Sequence, residues 1–236
     1  MKETICLQGR LVTYELTRKA VKNINIRVRA DGSVGVSAGK RIPKEEVEAV
    51  LQRKAEFLLK ALDHFAAQPA RPDPGDYKPG AVVHLLGKPY TVTLTQGMSN
   101  GVVENEENLV LTVTDPQNPS LRTKTMEAFL NARCLEVTKA LCQRIQPAMA
   151  SLGVPMPEIR VRSMTSRWGS CKPSACRVTF ARQLVGAPLV CVEYVVCHEL
   201  VHFLHPNHSK AFYTCLSAFL PDWKARRQRL NSFGDW

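Results

Sequence analysis

The chain contains no run of about 18 apolar residues, which excludes a transmembrane helix. Its opening, MKETICLQGRLVTYEL, has no apolar stretch of signal-peptide length and alternates apolar with polar residues. It therefore reads as a strand of a cytoplasmic protein. Regular cysteine spacing is also missing: the eight cysteines are scattered, and most sit in apolar settings such as LVCVEYVVC. Without an export signal, that distribution predicts reduced, buried thiols rather than a disulfide framework. Cys171 and Cys176 in CKPSAC stand too far apart for a zinc-ribbon knuckle, and no matching pair follows them. Internal repeats and low-complexity segments are absent from the sequence as read. Acidic residues are scarce, 21 against 32 Lys and Arg, for a net charge of +11. Such a balance favours an anionic partner, a nucleotide, a nucleic acid or an acidic protein, without choosing among them.

What is present is an ordinary globular composition, 44% hydrophobic and 22% charged over 236 residues, enough for one large domain or two small ones. Residues 3–37 read as short strands with a hairpin turn at Asp31-Gly32. Pro43 precedes one helix over 44–65, whose apolar stripe is Val47, Leu51, Leu58 and Leu62, with Phe57 one step off. A proline-rich connector covers about 67–80. Strands return over 81–113, and a long helix is expected over 119–151 with Asn118 as cap and Pro119 as its first residue. The rest reads as two strands, EIRVRSM and RVTFARQLV, an apolar helix running to Pro206, a helix from Ser209 to Leu220, and a basic one after Pro221. The class is α+β, a strand-rich N-terminal half followed by helices around a small sheet. Residues 1–118 and 119–236 are the expected domains.

Four of six histidines lie in CHELVHFLHPNHSK, residues 197–210. HELVH fits H-E-x-x-H, which on a helix sets His198 and His202 on one face within reach of one ion. Glu199, rotated about 100° from His198, can stand beside the ion as general base without ligating it. The preceding residues form a helix apolar almost all round, so the three polar side chains are buried and need a partner, which a metal supplies. His205, about 10 Å along the axis from His198 at 1.5 Å per residue, is too far up to share that ion. Pro206 turns the chain, and His208 then becomes the third ligand. Thermolysin-like zincins draw a glutamate from a later helix, but no glutamate follows Glu199 here. The spacing H-E-x-x-H-x5-H is that of metzincins, although no methionine follows Met164 to build a Met-turn. Asn207 in a left-handed conformation is one way to build the turn instead. His205 reads as a surface residue, with a substrate contact or a supporting role as alternatives. Three histidines, a glutamate and one open position describe a catalytic site for one zinc per chain.

A second dense stretch, MTSRWGSCKPSACRVTF, sets Arg167–Cys171 between two strands, facing the helix that carries His198. Arg167 could stabilise an oxyanion or bind a substrate carboxylate or phosphate; a tight turn with Trp168 packed in it is the plain alternative. In the N-terminal region Arg18, Lys19, Lys22, Arg27 and Arg29 form a basic cluster, either a solvated face or a phosphate-binding one.

SRWGSC, YVVCHELVHFLHPNHSKAFY and LPDW together resemble the YgjP-like metallopeptidase family, relatives of the SprT-type zincins. INIRVRADGSVGVSAG and YKPGAVVHLLGKPYTVTL resemble its N-terminal strands more loosely. The resemblance implies a zincin-like C-terminal domain, His198, His202 and His208 as zinc ligands, Glu199 as base, and a peptide or protein substrate. It departs from the family at Cys197 and Val201, where small residues or alanine are commoner, and at Tyr213, where tryptophan is; Trp168 and Tyr213 become possible substrate contacts. Two other functions stay open: a metal-dependent hydrolase of nucleotides or phosphate anhydrides, and a nucleic-acid-associated protein carrying a zincin domain. The sequence does not set the oligomeric state.

Overall fold

The structure, a computed structural model, describes residues 2–21, 23–28, 32–67, 76–164 and 167–233. The chain divides into two compact units, residues 1–71 and 72–234. The division lies inside the proline-rich connector and not at 118/119 as the sequence suggested.

The first unit holds β1 (Lys2–Leu7), β2 (Arg10–Lys19), β3 (Asn25–Val28) and β4 (Val34–Gly39) in the order β1-β2-β4-β3. The two outer pairings are antiparallel and the central one is parallel. Period-two patterning buries Val12, Tyr14 and Leu16 on β2 and Val34, Val36 and Ala38 on β4. Helices α1 (Lys44–Arg53) and α2 (Ala55–Ala67) cover that face through Val47, Leu51, Ala55, Leu58 and Leu62. The expected single helix is interrupted at Lys54, whose φ of −103° and ψ of 14° tighten the turn while its N–H reaches the carbonyls of Val50 and Leu51. Phe57, off the stripe, is 67% exposed, and Ala55 takes the buried place. In the basic cluster, Arg18 is committed locally, its Nη1 donating to the carbonyls of Gly39 at 3.1 Å and Ile42 at 2.6 Å. Arg27 is exposed. Lys22, Arg29 and the Asp31 half of the expected hairpin turn lie outside the described residues.

The second unit begins with the same topology. Strands β5 (Val82–Leu85), β6 (Lys88–Gln96), β7 (Gly101–Glu104) and β8 (Asn108–Val113) are ordered β5-β6-β8-β7, again with a parallel central pair between antiparallel hairpins. Buried Leu109, Leu111 and Val113 repeat the roles of Val34, Val36 and Ala38. Even the first turn recurs: Gln8 and Gly9 have φ of 48° and 85°, Leu86 and Gly87 have 52° and 86°, as a two-residue hairpin turn with both central residues at positive φ requires. The sequence reading found no repeat because few identities survive, chiefly between LQGRLVTYELT and LLGKPYTVTLT.

Helix α3 (Pro119–Ala150) follows, with Asn118 Oδ1 accepting the Leu121 N–H as the cap expected of it. Its Met126, Leu130 and Cys134 share one core with β5, β6 and β8. Those strands need α3 to bury their apolar face, which is why they belong to the second unit. Next come β9 (Glu158–Arg162), β10 (Gly169–Lys172) and β11 (Arg177–Ala181), ordered β10-β11-β9, so β10 is an edge strand. Helices α4 (Leu189–Val201), α5 (Lys210–Phe219) and α6 (Trp223–Phe233) complete the unit. The Leu86-Gly87 turn anchors the approach to α4, its two N–H groups donating to Val185 and Gly186 carbonyls at 2.7 and 3.0 Å. Six helices and three small mixed sheets among the described residues make the protein α+β. None of those helices is long and apolar enough to cross a membrane.

Candidate metal centre

Helix α4 is apolar on all sides and correspondingly buried, with Cys191, Val192, Val195, Val196, Cys197, Leu200 and Val201 all inside. His198 and His202, one helical turn apart, leave it on a common face. The helix stops at Val201, one turn short of Pro206, and His202 is its C-cap. A tight turn then forms, the His205 N–H reaching the Val201 carbonyl at 3.0 Å. Pro206 and a 2.8 Å bond from the Ser209 N–H to the Asn207 carbonyl redirect the chain. Asn207 is not in the left-handed region, contrary to the expected means of turning. Ser209 caps α5 by accepting from the Phe212 N–H, and His208, just before that cap, points back to His198 and His202.

The three histidines offer ligand atoms that all lie within 4.8 Å of one another. Each pair of rings has centroids 4.9 Å apart, and Nε2 of His198 is 3.0 Å from Nε2 of His208. With Zn–N bonds of about 2.0–2.1 Å, two ligands of one tetrahedral ion stand about 3.3 Å apart, so the cluster fits such an ion. His202 Nδ1 lies 3.0 Å from the His205 carbonyl oxygen. Donation of Nδ1–H to that oxygen leaves the Nε2 lone pair free for a metal. Burial, followed by the charges of His202, His208 and Arg227, pushes His198 down to about 3, and burial lowers His202. Both shifts favour the neutral imidazole, the form that ligates a metal.

Under the triad lies Phe212, fully buried, its ring centroid 4.8, 4.7 and 4.9 Å from those of His198, His202 and His208. This ring is the apolar floor that a Met-turn supplies elsewhere. Tyr213 stacks between His208 (6.2 Å) and Trp223 (4.9 Å), so it braces His208 and is not among the residues lining the cavity. His205 contributes through its carbonyl; its half-buried side chain also stays off the cavity wall.

Glu199 is 5% exposed and projects toward β10. Burial pushes its carboxyl up to about 8, while Arg167 and a hydrogen bond from the Cys171 backbone N–H pull the other way. A Cβ on Gly169 would stand 2.6 Å from Glu199 Oε1 and 2.8 Å from its Cγ. The glycine of RWGSC is therefore a seat for the glutamate, and Cys171 serves through its backbone. The Cys171 thiol itself is pushed up to about 12 by burial and by Glu199. A cavity of about 630 Å³ opens over this group, lined by Arg167, Trp168 and Ser170 on one side and Arg227 and Asn231 of α6 on another. Sequence reading placed Arg167 and Trp168 here. It placed Gly169 in the same segment without a role, and it missed Phe212, Arg227 and Asn231; the basic character of α6 was visible, but not which of its residues faces the cavity.

A buried glutamate beside three converging imidazoles, in an open cavity, defines a centre for a metal-dependent hydrolase. The sequence profile of the YgjP-like metallopeptidase domain matches residues 22–233, and the chain belongs to that family. No curated protein matches the chain. Membership in a metallopeptidase family brings with it a metal ion, typically zinc, and the His198, His202 and His208 cluster is where such an ion fits.

Proposed function

We propose that the protein is a zinc-dependent peptidase with His198, His202 and His208 holding the metal and Glu199 as general base. The observation that carries this reading is Glu199, buried and seated on Gly169, next to a triad whose ligand atoms gather within 4.8 Å. Zinc at this centre supplies Lewis acidity and lowers the pKa of water to about 7. Glu199 takes the proton of the attacking water at its free oxygen, Oε2, which has no partner within the protein. It then delivers that proton to the departing amine, a role worth about 10²–10⁴-fold. The Cys171 N–H holds the carboxylate in line during both transfers. Arg167, on the same wall, is positioned to receive negative charge developing on the carbonyl oxygen. Edge strand β10, which contributes Gly169, Ser170 and Cys171 to the cavity, offers an extended peptide a backbone to pair with.

The test is cleavage of an unfolded-protein or peptide library by the zinc-loaded chain. Cleavage that disappears in Glu199→Gln while about one zinc per chain is retained supports the reading; an intact library overturns it. Hydrolysis of nucleotides or phosphate anhydrides is the second reading, favoured by the two arginines that line the cavity. It predicts Glu199-dependent release of phosphate or pyrophosphate. The single imidazole centre speaks against it, because phosphoryl transfer more often uses oxygen-rich or two-metal sites.

A further inference from the structure

Helix α6 carries two adjacent arginines with different fates. Arg226 is consumed by the fold. Its Nε donates to Asp222 at 2.9 Å, its Nη1 pairs with Glu193 of α4, and its carbonyl accepts the Cys191 thiol at 3.6 Å. These bonds fix α6 against α4. Arg227, about 100° further round the helix, is exposed and lines the cavity together with Leu230 and Asn231, three and four residues on and hence on its own face. Among the described residues Arg227 has no ion pair and no hydrogen-bond partner.

Among the described residues Glu199 is the one acidic side chain lining the cavity, and Arg167 and the Cys171 N–H already attend it. No other described residue there neutralises Arg227. Imidazole ligands add no negative charge to a bound dication, so the wall keeps its cationic character when metal is present. A guanidinium on a helix, lining a cavity and without a partner among the described residues, is a site for a planar anion. Its charge also reaches His198, helping to hold that imidazole neutral.

We propose that Arg227 is a specificity-determining residue that binds a carboxylate of the substrate near the scissile bond, so that acidic peptides are preferred. This rests on the peptidase reading. A peptide suits the cavity better than a polyphosphate does, because Trp168, Val195 and Leu230 give it apolar wall and β10 gives it a strand edge. Asn231, beside Arg227, can donate an amide N–H to the same carboxylate.

The test uses the zinc-loaded full chain carrying Glu199→Gln, so that peptides bind without turnover. Two fluorescent peptides, acetylated and amidated and differing only in one Asp or Lys, are titrated at low salt. A third carries a free C-terminal carboxylate and no acidic side chain, to separate the two sources of the group. The expected result is at least tenfold tighter binding of one carboxylate-bearing peptide over the Lys peptide. That ratio should fall below about threefold when Arg227→Ala is added and invert with Arg227→Glu, with unchanged melting temperature and zinc content. Equal affinities in the parent, or a ratio indifferent to Arg227→Glu, overturn the proposal while leaving the peptidase reading intact. Binding of inorganic triphosphate that the acidic peptide cannot displace overturns it in favour of a phosphate site. If no peptide binds and the Glu199-intact protein cleaves none, the peptidase reading falls and this proposal with it.

Discussion

Replacing Gly169 by alanine tests the geometry of the centre most sharply. The added Cβ would lie 2.6 Å from Glu199 Oε1, 2.8 Å from its Cγ and 2.9 Å from its Cδ. Ordinary contact begins at 3.4 Å, so the carboxylate has to retreat by roughly 0.8 Å, and a misplacement of about 1 Å can cost about 100-fold in rate. Gly169 is not at positive φ, so the backbone accepts alanine and the penalty is steric alone. Overpacking of this kind costs about 1–3 kcal/mol of stability. The three atoms nearest the new Cβ all belong to Glu199 and none to the histidines, so the collision falls first on the glutamate. The expected outcome is a fall in kcat of about 100-fold on a cleavable peptide, with zinc content unchanged and the melting temperature modestly lowered. Full activity in Gly169→Ala would refute the idea that this glycine seats the catalytic carboxylate. Loss of zinc alongside activity would refute the separation of base from ligands.

Phe212→Ala should weaken zinc binding about 10–100-fold in a chelator competition and cost about 3–5 kcal/mol of stability. Phe212→Leu keeps an apolar floor and should fold better while altering the visible spectrum of the cobalt-substituted protein. Thiol alkylation mapped by mass spectrometry should label exposed Cys6 fastest and spare Cys134, Cys142 and Cys197, which burial pushes up to about 12; rapid labelling of Cys197 in the native protein would contradict the packing of α4. Alanine at Gly9 and at Gly87 meets the same left-handed backbone, worth about 1–2 kcal/mol, but only at Gly87 does the new Cβ come within 3.1 Å of Pro188, whereas Gly9 faces open space. Denaturant titration should therefore find Gly87→Ala the more destabilising, by about 1–3 kcal/mol.

The repeated sheet shows how much of a fold can be present in a sequence without being readable there. The strand-rich character of residues 3–37 and 81–113 was visible from alternation, but the turns at Gly9 and Gly87 were not singled out. Their equivalence emerged only when both sheets proved to pair in the same order, because topology constrains which positions are buried and not which apolar residue fills them. The difference between the expected boundary at 118/119 and the division into compact units has a related cause. Proline and glycine mark where regular structure stops, whereas a compact unit is defined by shared burial, and β5–β8 share theirs with α3.

At the metal centre the division is clearer. Helical periodicity is a local rule, so the spacing of His198 and His202 determined their common face and turned Glu199 aside, and Pro206 with the distance to His208 foretold that His208 joins them. The α+β class and the cap at Asn118 rested on equally local patterns. The tertiary structure alone decided that Glu199 sits on Gly169, that Phe212 lies beneath all three histidines, and that Arg227 rather than Arg226 faces the cavity. These are contacts between segments far apart in the chain, set by how α4, α5, α6 and β10 pack. No periodicity within any one segment encodes them.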